Sequence, residues 1–287
     1  MRNNSLYARI SAHGVHQCNC KRFRVWESSL ARGSRVLRNT KGTLTVGQAA
    51  DILGLPSTQA AKLLARWAEQ GWLSRVRRGL YVPVPLEARS ANVALEDAWT
   101  IADQLFDPCY IGGWSAAEHW GLTEQIFRTV LVITSRKPRN RRPVIKGTAF
   151  VVRSVSNKPL FGTKSVWRGR VKVDVSDPTK TVLDMLADPK LGGGLRPTVD
   201  VLGAYLKSKY KDRALLITYA DRLGNGAAIK RLGFLLGRIA PEEKGLIADC
   251  RARVKKGNVK LDPSLPPERL VTAWGLWVPK KWIGDTR

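Results

Sequence analysis

The chain has 287 residues, 44% of them hydrophobic and 25% charged, with 49 Lys and Arg against 23 Asp and Glu for a formal net charge of +26. That length suffices for two domains with a core each, and no apolar run approaches the length that spans a bilayer. So strong a positive field argues against a surface without partners. It attracts polyanions, nucleic acid first and an acidic membrane or acidic protein second.

All parts of the chain are basic, and residues 1–90 have the highest ratio, with 15 basic and 4 acidic side chains. The N-terminus lacks the apolar core of a secretion signal. The four cysteines, Cys18, Cys20, Cys109 and Cys250, are too few for a disulfide framework. The expected compartment is the cytoplasm.

Residues 1–27 show no clear period and read as a basic N-terminal arm, poorly ordered. They hold His13, His16, Cys18 and Cys20, residue types that bind zinc. Four ligands within eight residues leave no element to pack on the ion, so no metal site is expected.

Residues 28–88 carry the clearest pattern. A short helix is expected over Ser28–Arg38, then an extended piece over Gly42–Thr45. Val46–Leu53 has Ala49, Ala50, Ile52 and Leu53 at helical spacing, stopped by Gly54-Leu55-Pro56. Ser57 is placed as the N-cap of a second helix running to Gln70, with Ala60, Leu63, Leu64 and Trp67 on one face. Gly71 closes it. Trp72, Leu73 and Val76 begin a strand, Arg77-Arg78-Gly79 turns it, and Leu80–Val82 returns as the second arm of a hairpin.

Helix, short turn, helix, hairpin is the order of a winged helix-turn-helix. In that arrangement the second helix enters the major groove, its N-terminal residues at the base edges. Ser57, Thr58, Gln59, Lys62 and Arg66 face outward, and Gln pairs with adenine while Lys or Arg pairs with guanine or phosphate. Arg75, Arg77 and Arg78 crowd the hairpin turn. Like charges packed so closely repel, and DNA phosphates are the negative partner that offsets the repulsion. A winged helix used for protein contacts, its arginines merely solvated, is the competing reading.

Pro83, Pro85 and the polar stretch to Ser90 read as a linker to a C-terminal domain over 89–287. A helix is expected over about Val93–Leu105, broken by Asp107-Pro108. Strand and helix signals then alternate. A strand at Tyr110 leads through a Gly turn to a helix over Ser115–Trp120. A buried strand over Arg128–Ser135 is joined to another over Thr148–Val155 by a basic loop. That loop, with Arg136, Lys137, Arg139, Arg141 and Arg142, offers further phosphate contacts or is simply solvated. Further strands are expected near Trp167 and Val171–Val175. In "VSDPTKTVLDMLADP", Ser176 or Asp177 caps a helix with Pro178 near its first position. Gly192–Gly194 break it, helices follow over about Val199–Lys209, Asp212–Leu223 and Ala227–Leu236, and a late strand is expected in the tryptophan-rich tail. The expected fold class is α+β, a winged helix-turn-helix followed by a larger α/β domain.

No catalytic constellation emerges. "LGGGLRP" lacks the spacing of a phosphate-cradling loop. His119 reads as packed or half-exposed. Asp174, Asp177 and Asp184 are the carboxylates a metal-dependent nuclease would use. Each also has a plain reading, as a strand-end residue, a helix cap and a helical surface residue respectively. No cofactor and no enzymatic activity are expected.

The stretches "AKLLARWAEQGWLSRVRRGLYVP", "YIGGWSAAEHWGLTEQIFRTVLVIT", "SDPTKTVLDML" and "KRLGFLLGRI" together resemble the AbiEi family. These are the antitoxins of type IV toxin–antitoxin systems, and the resemblance covers about Ser28–Ala240. It implies a winged helix that binds inverted repeats upstream of its own operon and represses transcription. It implies a C-terminal domain that supports repression and carries the antitoxin activity. It also implies a nucleotidyltransferase toxin as functional partner, counteracted without a stable complex. Ser57–Gln70 would be the recognition helix and Arg75–Tyr81 the wing. The sequence departs from the family at Thr179, where an acid is usual. A metal-dependent nuclease, and an RNA-binding or toxin-binding antitoxin without operator specificity, are the alternatives.

Overall fold

The computed structural model of the chain describes residues 31–36, 38–40, 42–84, 98–155, 160–169 and 171–282. The expected basic arm, the His13–Cys20 group and the linker beyond Val84 lie outside them. The architecture is mixed α+β, and the chain divides into two compact units, Met1–Glu87 and Ala88–Arg287.

In the first unit residues 31–36 and 38–39 are helical (α1). Strand β1 (Leu44–Thr45) leads directly into α2 (Val46–Leu53), followed by α3 (Ser57–Glu69), β2 (Leu73–Arg77) and β3 (Leu80–Pro83). Thr45 starts α2 with a capping box. Its hydroxyl accepts from the Gln48 N–H at 3.2 Å, and the Gln48 side chain accepts from the Thr45 N–H at 2.9 Å. Gly54, in the left-handed region, ends α2, and only Leu55 and Pro56 separate it from α3.

Ser57 is not the cap that its residue type suggests. Pro56 occupies the N-cap, Ser57 is already helical, and no side chain caps α3. Ala60, Leu64 and Trp67 recur at helical spacing, are buried, and meet Val36, Leu44, Ala49, Leu73 and Tyr81 in one core. Burying Leu64 contributes roughly 2–3 kcal/mol. The sheet order is β1-β3-β2, both pairs antiparallel.

The second unit is built on a six-stranded mixed sheet of order β6-β7-β5-β4-β9-β8. Its elements are α4 (Trp99–Phe106), β4 (Cys109–Ile111), α5 (Gly113–His119), β5 (Thr129–Thr134), β6 (Val144–Ile145), β7 (Thr148–Ser154), β8 (Thr163–Arg168) and β9 (Val171–Ser176). β5 runs parallel to β7 and β4 parallel to β9, while the remaining pairs are antiparallel. β5 is an unbroken apolar run because it is a central strand buried along its length. The basic loop after it leads first to β6, not directly to β7 as expected.

Helix α6 (Pro178–Ala187) follows, capped by Asp177, whose carboxylate accepts from the Lys180 N–H. It packs against α5, α7 (Leu195–Lys207), α8 (Arg213–Leu223) and α9 (Gly226–Ile239). Helix α10 (Lys244–Ala252), which the sequence pattern does not announce, precedes a three-stranded sheet of order β10-β12-β11. That sheet comprises β10 (Val259–Lys260), β11 (Arg269–Val271) and β12 (Leu276–Val278), and it contains the late strand expected in the tail. Gly233, inside α9, lies under the ring of Trp274, so a side chain there would collide with the indole.

Candidate nucleic-acid interface

Helix α3 turns one face to the core and the other to solvent. Ser57, Thr58, Gln59, Lys62 and Arg66 are all exposed, while Ala60, Leu64 and Trp67 are buried between them. Gln59, Lys62 and Arg66, at i, i+3 and i+7, share the outer face. The absence of a side-chain cap leaves N–H groups of the first turn, at Ser57 and Thr58, directed outward at the positive end of the helix. Such a terminus suits a phosphate.

The hairpin supplies the second element. β2 and β3 pair from Leu73↔Pro83 to Arg77↔Leu80, with a shift of register between Arg75 and Arg77. The extra residue increases the local twist. Gly79 closes the turn with φ of +79°, a conformation that a side chain would strain. Its carbonyl accepts from the Val46 N–H at 3.2 Å, and Thr45 pairs with Leu80. The turn is thereby tied to the start of α2. Arg75, Arg77 and Arg78 are exposed, while Leu80, Tyr81 and Val82 are buried beneath them. Trp67, at the end of α3, stacks on Trp72 at 6.3 Å and so fixes the step from helix to hairpin. All eight residues selected in this unit thus lie on its surface, supported by one core. Arg32, Arg35 and Arg38 of α1 are exposed too, and they were not selected.

The basic loop belongs to the second unit. Arg136, Lys137, Arg139, Arg141 and Arg142 are exposed between β5 and β6. The three aspartates considered for a nuclease do not form a cluster. Asp174 lies within β9 rather than at its end, and accepts from Ser165 at 2.7 Å. Asp177 caps α6 and also accepts from the Tyr219 hydroxyl at 3.0 Å.

Asp184 is not a surface residue. It is 5% exposed, ion-paired with Lys180, and accepts from the Tyr110 hydroxyl at 2.8 Å. The Lys180 ammonium also donates to the Tyr110 oxygen at 2.9 Å. Burial pushes the Tyr110 phenol well up, reinforced by the neighbouring Asp184. The same burial raises Asp184, opposed by Lys180. Thr179, the family departure, shares a hydrogen bond of 3.0 Å with the Tyr205 hydroxyl.

His119 is half-buried between Trp99 and Trp120, its pKa lowered by burial and then by Arg168. Burial pushes the Cys109 and Cys250 thiols up to about 12, which leaves them protonated and inert at neutral pH. Among the described residues no three His, Cys, Asp or Glu side chains are grouped to hold a metal ion. Nor is any helix among them long and apolar enough to cross a membrane.

Residues 34–84 match the family model described as "Transcriptional regulator, AbiEi antitoxin", in agreement with the resemblance read from the sequence. The matched segment contains α2, α3 and the hairpin. The fold is similar to that of the RV2827C protein from Mycobacterium tuberculosis, with a TM-score of 0.56 over 88% of this chain and 91% of that one. The two sequences are 16% identical, so this likeness concerns the fold alone. No curated protein matches the chain.

Proposed function

We propose that the chain is a DNA-binding transcriptional regulator of the antitoxin type. In this reading the first unit is a winged helix-turn-helix, α3 is its recognition helix and the β2–β3 hairpin is its wing. The observation that carries the reading is the outer face of α3, where Gln59, Lys62 and Arg66 stand exposed beyond an uncapped N-terminus. The match of residues 34–84 to antitoxin regulators supports it.

The mechanism is binding without chemistry. Arg66, Arg75, Arg77 and Arg78 contact phosphates and supply most of the affinity, with steep salt dependence. Thr58, Gln59 and Lys62 read base edges in the major groove. By the family likeness, the target is a set of inverted repeats upstream of the chain's own operon. Occupancy there represses the operon, and the second unit counteracts a nucleotidyltransferase toxin without a stable complex. The compartment is the cytoplasm.

The test is a mobility shift with the chain's own upstream duplex against a scrambled duplex, at two salt concentrations. Preference for the upstream duplex, with affinity that falls as salt rises, is the expected result. Equal binding to both would contradict operator recognition. Cleavage of labelled DNA on adding Mg²⁺ would replace the regulator with a nuclease.

A further inference from the structure

The second unit holds a partly open cavity of about 310 Å³, lined from β4, β5, β7, α6 and the turn between α8 and α9. That volume lies at the lower end of small-molecule sites. Its lining is apolar at Ile133, Leu160 and Phe161, and polar or charged at Arg153, Lys180, Asp184, Asp188 and Asn225.

The polar lining balances two cations, Arg153 and Lys180, against the two carboxylates paired with them, Asp188 and Asp184. Each carboxylate oxygen already accepts one bond. The Asp184 oxygens receive Lys180 and Tyr110, and the Asp188 oxygens receive Arg153 and the Lys190 N–H. The Asn225 side-chain oxygen caps α9, accepting from Ala227 at 2.9 Å and Ala228 at 3.2 Å. The donors of the lining are not all taken. Lys180 carries three N–H groups and bonds two oxygens, Asn225 keeps both amide hydrogens, and Arg153 uses one nitrogen of its guanidinium. Among the described residues these remaining donors meet no acceptor. Two cations also lie against Phe161, Lys180 at 4.9 Å and Arg222 at 4.3 Å from its ring centre.

We propose that this cavity binds a small organic anion, a carboxylate or phosphate carried on an apolar body the size of one ring. The headgroup meets Lys180, Asn225 and Arg153, and the body lies against Phe161 and Ile133. This inference does not depend on DNA binding by the first unit.

The test uses the full chain with ¹³C-methyl-labelled isoleucine and leucine, titrated with benzoate, benzamide and inorganic phosphate. Benzoate is expected to shift the Ile133 and Leu160 methyl resonances saturably. Benzamide, the same ring without the charge, should bind at least about tenfold more weakly, since a charge-assisted bond is roughly twice as strong as a neutral one. Phosphate acting as well as benzoate would support the site and assign its headgroup chemistry to phosphate.

Asn225→Asp keeps a capping oxygen for α9, because Asp and Asn cap equally well, but it replaces the donors with a carboxylate. It should leave the methyl spectrum folded and weaken benzoate binding at least about tenfold, the loss of one charge-assisted bond. The proposal fails if neither anion produces saturable shifts, if benzamide matches benzoate, or if a folded Asn225→Asp chain binds benzoate unchanged.

Discussion

In the first unit the cationic side chains of α3 and the hairpin are all exposed: Lys62, Arg66, Arg75, Arg77 and Arg78. In the second, Lys230 and Arg231 are almost wholly buried, and each is committed to oxygens of its own unit. Arg231 shows the contrast most clearly. Its guanidinium donates to the carbonyls of Lys260, Leu261, Leu186 and Ala187 at 2.7–3.2 Å. It thereby ties α9 to the end of α6 and to the small C-terminal sheet. One positive charge can thus serve either of two purposes. Left in water over an apolar core, it is available to a polyanion. Taken out of water, it must be matched by internal acceptors or the fold loses stability.

The largest effect that separates these uses is expected from Arg231→Leu. It removes the partner of four carbonyls, of which those of Leu186 and Leu261 are buried, and should destabilise the second unit by roughly 3–5 kcal/mol, seen as an earlier midpoint in urea unfolding. Replacing Arg75, Arg77 and Arg78, all exposed, together by Gln should cost folding far less than Arg231→Leu does. It should instead weaken DNA binding by roughly 2–4 kcal/mol for all sequences alike, and lower the salt slope by about 1 for each phosphate that is no longer neutralised. Anisotropy titrations at several salt concentrations read both quantities.

Gln59→Ala should cost about 1–3 kcal/mol at one base pair and relax preference there, which a panel of single-base operator variants would reveal. An unchanged preference removes Gln59 from base readout.

The smallest effect is expected at Glu243. Its carboxylate accepts from Arg213 and Lys211, and these bonds hold its pKa down to about 2 from an ordinary 4.5. A carboxylate with a lowered folded pKa stabilises above its unfolded value, and that contribution disappears as pH falls towards the folded one. Glu243→Gln should therefore cost about 1 kcal/mol at pH 7, a modest figure because Arg213 is largely exposed and screened. The gap between variant and parent should close between pH 4.5 and about 2 in acid titrations of stability.

Much of the first unit was legible because its signals are local. Val46–Leu53 and the step into α3 follow from helical spacing bounded by Gly54 and Pro56, and the hairpin follows from Gly79 between apolar runs. The misplaced cap at Ser57 is also local. A proline just before a serine moves the helix start by one residue, since Pro56 itself supplies the extended N-cap conformation. The second unit was legible in its strands and in α6 to α9, but not in its buried polar groups. Asp184 reads as surface until Tyr110, 74 residues away, is folded against it. Arg231 is satisfied by backbone carbonyls, which no side-chain pattern records. Helix α10 buries only Leu246 and Cys250, too short a stripe to mark a helix.

The claim that the first unit carries DNA recognition is tested most directly by anisotropy of the upstream duplex with three forms of the full chain. These are the parent, the Arg75, Arg77 and Arg78 to Gln variant, and a variant with Arg136, Lys137, Arg139, Arg141 and Arg142 changed to Gln. The account predicts that the hairpin variant loses most of its affinity, while the loop variant keeps its preference for the upstream over the scrambled duplex. Parent-like binding by the hairpin variant, with recognition lost in the loop variant, would contradict it and move the interface to the second unit.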